Sequence, residues 1–359
     1  MSAHVFQVLV VAALALPACS SDSDNPAAPG YADGGGGSAG SGGTTEAGSG
    51  GTAAGGGAGT PSKAEIWAEG LGDGIQQGIA EDYPQDVDIA ENEWVYAAED
   101  FESGSVQLVT QDDRLRDDVE VVSNVAHTGK HSAKMQWPQG EHGRTTRYEL
   151  PTALDDNPTG AYFVRVCYRY DASFHPGGDA SDGVGVKGFG VVANPDHHNN
   201  TVPCDGTNWY NAQVQFVGWG PSQKPEANDG YLWVGHAYSY NPEPESAVAA
   251  VGDPELRRSE YRFSAYADPY DYIQYDTWRC YEIGMYLNTP GKNDGEMRFW
   301  IDGVLQSRTM NMRYRDVAEL VPTDMHINLY RTTTDFPQTM VRHMDNIVLS
   351  RRYVGPVAE

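Results

Sequence analysis

The stretch YEIGMYLNTPGKNDGEMRFWIDG, from Tyr281 to Gly303, decides the fold. From Cys280 to Leu287 the residues alternate in character with a period of two, which indicates a half-buried strand. Thr289–Gly291 and Asn293–Gly295 supply the fixed and positive φ angles of a tight reversal, and Asp302–Gly303 is a strong short hairpin signal. The stretch therefore predicts antiparallel β-sheet.

The rest of the chain extends this pattern. Residues 94–356 contain short strand-like runs separated by Gly, Pro, Asn and Asp, with no sustained helical period apart from Asp316–Leu320. Many short strands with such punctuation favour an antiparallel β-sandwich. We predict one all-β domain over residues 94–356, after an irregular lead-in over residues 63–93.

The N-terminus predicts export. Val5–Leu16 is apolar but shorter than the about 20 residues that span a bilayer, and Leu16–Cys19 resembles the lipobox of a bacterial lipoprotein signal peptide. We predict a signal peptide over residues 1–18 and a lipid on Cys19, which would anchor the chain in the bacterial cell envelope, at the outer membrane, facing the periplasm or the exterior. The alternative is an ordinary signal peptide cut nearby, with Cys19 incidental.

Residues 19–62 are almost entirely Gly, Ala, Ser, Thr, Pro and Asp. Such a segment buries too little apolar surface to offset the entropy of ordering, so we predict a disordered, flexible tether.

The charge limits the partners. The chain has 50 acidic and 24 basic residues, and because four acids and no Lys or Arg precede Lys63, the domain keeps 46 acids against 24 bases, a net charge of −22. This argues against nucleic acid, which binds through Lys and Arg. A polyanionic glycan would need a local basic site. We expect a monomer that meets a membrane only through its anchor.

Three cysteines remain if Cys19 carries a lipid. Cys167 and Cys280 lie in strand-like runs, and they would pair if those strands are neighbours, whereas Cys204 lies in a loop. Connectivity cannot be read from sequence, so buried free thiols are the alternative.

Four segments resemble one family. Trp300–Gly303 with its hairpin, AEDFESG at 98–104, HTGKHSAKMQWP at 127–138 and MDNIVLSRRYVGP at 344–356 are similar to concanavalin A-like jelly-roll polysaccharide lyases, in particular polysaccharide lyase family 14 and its glucuronan-lyase relatives. The resemblance covers most of residues 94–356. It implies an antiparallel jelly roll that acts on a uronate-containing polysaccharide such as alginate.

The resemblance also implies catalytic residues. Lys187, in the Gly-rich run Asp182–Gly190, matches the lysine that family 14 lyases need for activity, and Tyr238-x-Tyr240 matches a pair in which a tyrosine acts as acid or base. On a strand, His236 would share a face with both tyrosines. The plain alternatives are a surface lysine and tyrosines that only pack.

The third segment departs from the family. Asn211, Gln213 and Gln215 share one face of a strand, but the family has Ser-x-Arg where this chain has Asn211-x-Gln213. A neutral amide cannot lower the pKa of the α-proton of a uronate as a guanidinium does. Either another arginine substitutes, or the substrate is not a uronate, or the domain only binds. The candidate arginines are Arg147, Arg298, Arg313 and Arg331.

The sequence therefore predicts a polysaccharide lyase that works by β-elimination. Asn211, Gln213, Gln215, Arg313 and Trp233 are assigned to substrate binding. The alternative is a non-catalytic carbohydrate-binding jelly roll whose tryptophans stack on sugar rings, and a weaker one is a structural surface protein. The tryptophans in question are Trp209, Trp219 and Trp233.

No cofactor and no catalytic metal are predicted. Asp100, Glu102 and Asp345 would be the oxygen ligands of a structural calcium ion where the first and last strands meet, or else solvated turn carboxylates. No P-loop or G-x-S-x-G motif occurs. Glu282 and Glu296 are a further alternative, as a glycosidase pair.

Overall fold

The computed structural model describes most of the chain beyond residue 74. The described residues are 66, 74–108, 119–140, 143–149, 157, 159–174, 185–194, 204–219, 232–240, 248–249, 257–259, 262–266, 274–330 and 338–359. The predicted signal peptide, Cys19 and the tether lie outside them, as does Arg331. Within the described residues, no helix has the length and apolar character needed to cross a membrane.

Nine strands form the first sheet, sheet A. They are β1 (Val95–Glu99), β2 (Val119–Val122), β3 (Ser132–Trp137), β5 (Ala161–Tyr170), β9 (Val248–Ala249), β12 (Trp278–Tyr286), β13 (Gly295–Ile301), β14 (Val304–Met312) and β16 (Met340–Ser350). Their order is β2-β3-β16-β5-β12-β13-β14-β9, and β1 also pairs with β16. Every pairing is antiparallel.

Seven strands form the second sheet, sheet B. They are β4 (Gly143–Glu149), β6 (Gly185–Ala193), β7 (Tyr210–Trp219), β8 (Leu232–Tyr240), β10 (Arg257–Ser259), β11 (Arg262–Tyr266) and β15 (Asp324–Tyr330). Their order is β10-β11-β8-β7-β6-β15-β4, again antiparallel throughout.

The two sheets enclose one apolar core. Tyr168 and Phe299 of sheet A and Val214 and Phe216 of sheet B are fully buried in it. The predicted all-β jelly-roll sandwich is confirmed, and so is the hairpin at Tyr281–Gly303, which β12 and β13 form.

A second apolar cluster covers the outer face of sheet A. Three single-turn 3-10 helices, Ile79–Asp82, Pro84–Asp86 and Ile89–Glu91, lie in the lead-in. This lead-in packs with the C-terminal tail, since the N–H groups of Ile79 and Ala80 donate to the carbonyls of Tyr353 and Val354 at 3.2 and 2.9 Å. Sheet A is thus buried on both faces where the two segments cross it.

Buried polar groups fasten these segments to sheet A. Arg165 forms an ion pair with Asp86 of the lead-in, and its Nη1 donates to the carbonyl of Gly355 at 3.0 Å. The Glu282 carboxylate accepts the N–H groups of Val354 and Gly355 at 2.8 and 2.9 Å. Burial raises the pKa of Glu282 to about 8.

Cys167 and Cys280 stand directly opposite each other on β5 and β12 and form a disulfide, as the sequence allowed. Cys204 is a buried free thiol, and burial raises its pKa to about 12.

Candidate active site on the outer face of sheet B

Sheet B has one apolar and one polar face. In β7, Ala212, Val214 and Phe216 point into the core between the sheets. Asn211, Gln213 and Gln215 alternate with them and therefore lie on the opposite face, which we call the polar face. The prediction that these three residues share a face is confirmed.

Strand β8 adds the predicted His and Tyr positions to this face. Its register with β7 has no irregularity, and three pairs stand directly opposite each other: Gln215 and His236, Gln213 and Tyr238, and Asn211 and Tyr240. Directly opposed residues share a face, with Cβ atoms about 4.5–5.5 Å apart. The register thus assigns all three β8 positions to the polar face.

Strand β6 brings Lys187 to the same face through a bulge. Lys187 stands opposite Gln215, and Gly190 stands opposite Gln213. Between these two pairs β6 has two residues and β7 has one, so β6 contains one extra residue. On one side of the bulge Val186 faces the core, and on the other side Phe189 does. If β6 alternated regularly back from Phe189, Lys187 would occupy a core-facing position. Bulges of this kind redirect side chains next to active sites.

Gly190 is held tightly against β7. A Cβ atom at this position would lie 2.2 Å from the carbonyl oxygen of Ala212 and 2.7 Å from Cα of Gln213. Only glycine lets β6 approach β7 this closely at this position.

Gly190→Ala is expected to lower the free energy of unfolding by about 1–3 kcal/mol, because backbone atoms must move to admit the methyl group. Urea unfolding would measure the loss. Gly188→Ala is the control, since its Cβ first meets the ring of Phe216, at 2.9 Å, and then the Val214 carbonyl at 3.1 Å. An equal or smaller loss at Gly190 than at Gly188 would contradict this account.

Strand β15 contributes a residue that the sequence reading missed. His326 stands opposite Gly190 of β6 and is 7 % exposed, whereas its neighbours Met325 and Ile327 face the core. The sequence pattern that could have identified it is the alternation of the polar residues Asp324 and His326 with the apolar residues Met325 and Ile327.

One transverse row crosses the middle of the polar face. Arg147 of β4 stands opposite His326, and the row continues through Gly190 and Gln213 to Tyr238. At about 4.8 Å per strand, the backbone of Arg147 is about 14 Å from that of Gln213. Gly190 contributes no side chain to the middle of the row.

The other candidate arginines are placed differently. Arg298 is buried in sheet A and pairs with Glu296 at 2.6 Å. Arg313, assigned to substrate binding, lies beyond the end of β14 and makes a bidentate pair with Asp316 at 2.7 and 2.8 Å. Neither belongs to a strand of sheet B. Arg147 is the candidate that the register assigns to the polar face.

Trp233 lies in the same strand but at a different phase. It stands opposite Gly218, so alternation assigns its position to the core-facing set of β8, away from that of Tyr238. Its assignment to substrate binding stays a prediction. Trp209 is buried at 3 % exposure, whereas Trp219 has a polar-face position in β7.

Three residues of the polar face are nearly buried. Asn211, Gln213 and His326 are 6 %, 4 % and 7 % exposed, whereas Gln215 is half-buried. Electrostatic interactions are stronger around buried groups than in water.

Glu282 and Glu296 do not form a glycosidase pair on this face. Both are buried in sheet A, where Glu282 holds the C-terminal tail and Glu296 accepts from Arg298 and Arg308. The glycosidase alternative therefore lacks a site at these residues.

Two of the carboxylates proposed as calcium ligands accept hydrogen bonds from backbone N–H groups. Glu102 accepts the N–H groups of Lys130 and His131 at 2.7 and 2.6 Å. Asp345 accepts those of His127 and Asn346, both at 2.9 Å, and burial raises its pKa to about 7. A calcium ion at these carboxylates stays a prediction.

Solved structures similar to this chain share little of its sequence. No family model and no curated protein matches the chain. The chain is similar to the solved structure of a mutant of alginate lyase Aly36B in complex with alginate trisaccharide, with 12 % identity over 66 % of this chain and 85 % of that one and a TM-score of 0.48.

Two further solved structures are similar. They are the marine PL-14 alginate lyase from Aplysia kurodai, with 14 % identity over 66 % of this chain and 87 % of that one and a TM-score of 0.46, and the endo-β-1,4-glucuronan lyase from the fungus Trichoderma reesei, with 13 % identity over 74 % and 100 % and a TM-score of 0.46. At such identities the likeness concerns the fold alone.

Proposed function

We propose that this protein is a polysaccharide lyase that cleaves a uronate-containing polysaccharide by β-elimination on the polar face of sheet B. One observation carries the proposal: the register of three adjacent strands assigns Lys187, His236, Tyr238 and Tyr240 to the same face. These are the residue types that the reaction needs.

The reaction requires three roles. A polar or cationic group must neutralise the uronate carboxylate, a base must remove the proton from C5, and an acid must protonate the departing O4. The electron pair of the broken C5–H bond forms the C4=C5 double bond as the C4–O4 bond breaks. No redox cofactor is involved.

Tyrosine fits the base and acid roles only beside a cation. A phenol with a pKa near 10 becomes an effective base at neutral pH when a nearby positive charge favours the phenolate. We assign the base and acid roles to Tyr238 and Tyr240, the charge-stabilising role to Lys187, and an orienting role to His236. Lys187 and His236 occupy one row, each opposite Gln215.

Carboxylate neutralisation falls to Arg147 and Gln213 in this proposal. They lie in the same transverse row, on opposite sides of Gly190. Gln213 donates a neutral hydrogen bond, and Arg147 supplies the positive charge that the Ser-x-Arg departure removes. Local cations also explain how a domain with a net charge of −22 would accept a polyanion.

The test is the ultraviolet absorbance of the 4,5-unsaturated product, measured with alginate, polyglucuronate and other uronate polymers. The wild type is expected to produce it, and Lys187→Ala and Tyr240→Phe are each expected to lower the rate about 10²–10⁴-fold. Lys292→Ala and Tyr275→Phe, at an exposed turn and at a partly exposed position distant in sequence from the site, are matched controls that should keep the wild-type rate.

Product from the two site variants at the wild-type rate would refute this site. Absence of product on every uronate, with glycan retardation retained in affinity gels, would instead support the second candidate, a carbohydrate-binding domain. The specific observation in its favour is Gln213, a neutral residue next to Gly190 in the row, together with the polar-face position of Trp219.

We also propose that the domain is attached to the cell envelope through a lipid on Cys19. The apolar run before Cys19 and the glycine-rich composition of residues 19–62 support this, because together they provide an anchor and a tether.

A further inference from the structure

The disulfide lies next to a histidine. One ring nitrogen of His127 and the sulfur atoms of Cys167 and Cys280 lie within 4.8 Å of one another, and they are the one such group of three His, Cys, Asp or Glu donors in the described part of the chain. His127 comes from the loop before β3, which brings it over the two strands that carry the cysteines. Two sulfurs and one imidazole nitrogen are ligands typical of zinc and other thiophilic metals.

Hydrogen bonds fix which nitrogen of His127 is available. Nδ2 of Asn346 donates to Asp86 at 2.9 Å and to Thr128 at 2.9 Å, which identifies it as the amide nitrogen. Oδ1 of Asn346 therefore accepts, and its partner at 2.9 Å is Nδ1 of His127. Nδ1 then carries the proton, and Nε2 keeps its lone pair.

This arrangement matches the surroundings of metal-binding histidines. Such residues usually donate their second ring N–H to a carbonyl or carboxylate, which orients the ring and raises its basicity as a ligand. Trp278 lies against the ring, with centroids 5.4 Å apart, and limits its movement.

We propose that the Cys167–Cys280 disulfide masks a metal site, and that its reduction by a dithiol lets both sulfurs and Nε2 of His127 bind one zinc ion. The dithiol donates two electrons and two protons, its own sulfurs become a disulfide, and the S–S bond of the protein breaks to give two thiols. A divalent zinc ion then displaces both thiol protons. Two thiolates and a neutral imidazole balance its charge and leave a fourth position for water.

The experiment uses cobalt(II) as a spectroscopic probe for zinc, on the full chain in a Cys19→Ser, Cys204→Ser background that leaves only the two cysteines of the proposed site. After reduction by a dithiol and its removal without oxygen, one cobalt ion per chain is expected to bind, with thiolate-to-cobalt charge-transfer absorption. The oxidised protein is expected to give no such absorption. Zinc should displace the cobalt and raise the unfolding temperature of the reduced protein.

His127→Ala keeps both thiols and is the decisive variant. Loss of an outer partner of a ligand costs about 10–100-fold in affinity, so loss of the ligand itself should cost at least about 100-fold. His131→Ala is the matched control, because His131 lies in the same loop but pairs with Glu102. Equal cobalt affinity in the reduced protein and its His127→Ala variant would overturn the proposal, as would no binding by a reduced protein whose circular dichroism shows that it is folded.

Discussion

Replacing Arg147 by alanine is expected to lower kcat/KM on a uronate polymer by about 10²–10³-fold, the usual effect of removing one group that stabilises developing charge. Arg147 is the candidate arginine whose position lies on the polar face, in the row of His326, Gly190 and Gln213. The loss should fall on kcat as well as on KM, because the enolate-like charge exists in the transition state. Initial rates of unsaturated-product formation over a range of polymer concentrations would measure both.

A control variant and a rescue variant accompany this test. Arg169→Ala removes a sheet A arginine that pairs with an exposed Asp276, and it should leave the rate unchanged. Gln213→Arg in the Arg147→Ala background returns a guanidinium to the same row and should recover part of the activity. Full activity of Arg147→Ala would assign the carboxylate to another group, and a parallel loss of thermal stability would make Arg147 a structural residue.

The second large effect concerns pH and stability. Glu282 has a folded-state pKa of about 8 against an ordinary value of 4.5. The folded state therefore holds its proton more tightly than the unfolded state does. The stabilisation is complete below about pH 4.5 and is lost as the pH rises towards 8, at up to about 1.4 kcal/mol per pH unit. Between pH 6.5 and 8 we expect the free energy of unfolding of the wild type to fall by about 2 kcal/mol from this group.

Glu282→Gln removes this dependence, because the amide does not titrate. Urea unfolding at several pH values from 6.5 to 8 should show a flatter slope for the variant, even if the amide accepts the tail N–H groups less well. In this pH range His343, whose pKa burial lowers to about 4, has already lost its proton, and Asp345, whose pKa burial raises to about 7, titrates in both proteins alike. Glu120→Gln is the exposed control. Identical slopes in the wild type and Glu282→Gln would contradict the prediction.

Local patterns of the sequence predicted much of this structure. The alternation and turn residues from Tyr281 to Gly303 were sufficient for the hairpin, because strand period and turn chemistry are local properties. Alternation likewise assigned Asn211 and Gln213 to one face. The same alternation places Trp233 at the opposite phase from His236, Tyr238 and Tyr240 in β8.

Features that depend on pairing could not be predicted in this way. Simple alternation places Lys187 with Phe189 and Val191 on the core side, and only the register with β7 reveals the bulge that moves it. The choice among the arginines needed the strand order, since β4 and β7 are distant in sequence and separated in the sheet by β15 and β6. For His326 the sequence offered only the alternation of polar and apolar residues along β15, which does not show which strands lie beside it.

The crossing of the lead-in over sheet A decides where the preceding chain joins the domain. The chain reaches the sandwich along the outer side of sheet A, where Ile75 pairs with Val304 and Ile79 bonds to the tail. The polar face belongs to the other sheet, on the far side of the core. If the proposed tether holds the domain, its point of attachment therefore lies on the side opposite the polar face and does not cover that face.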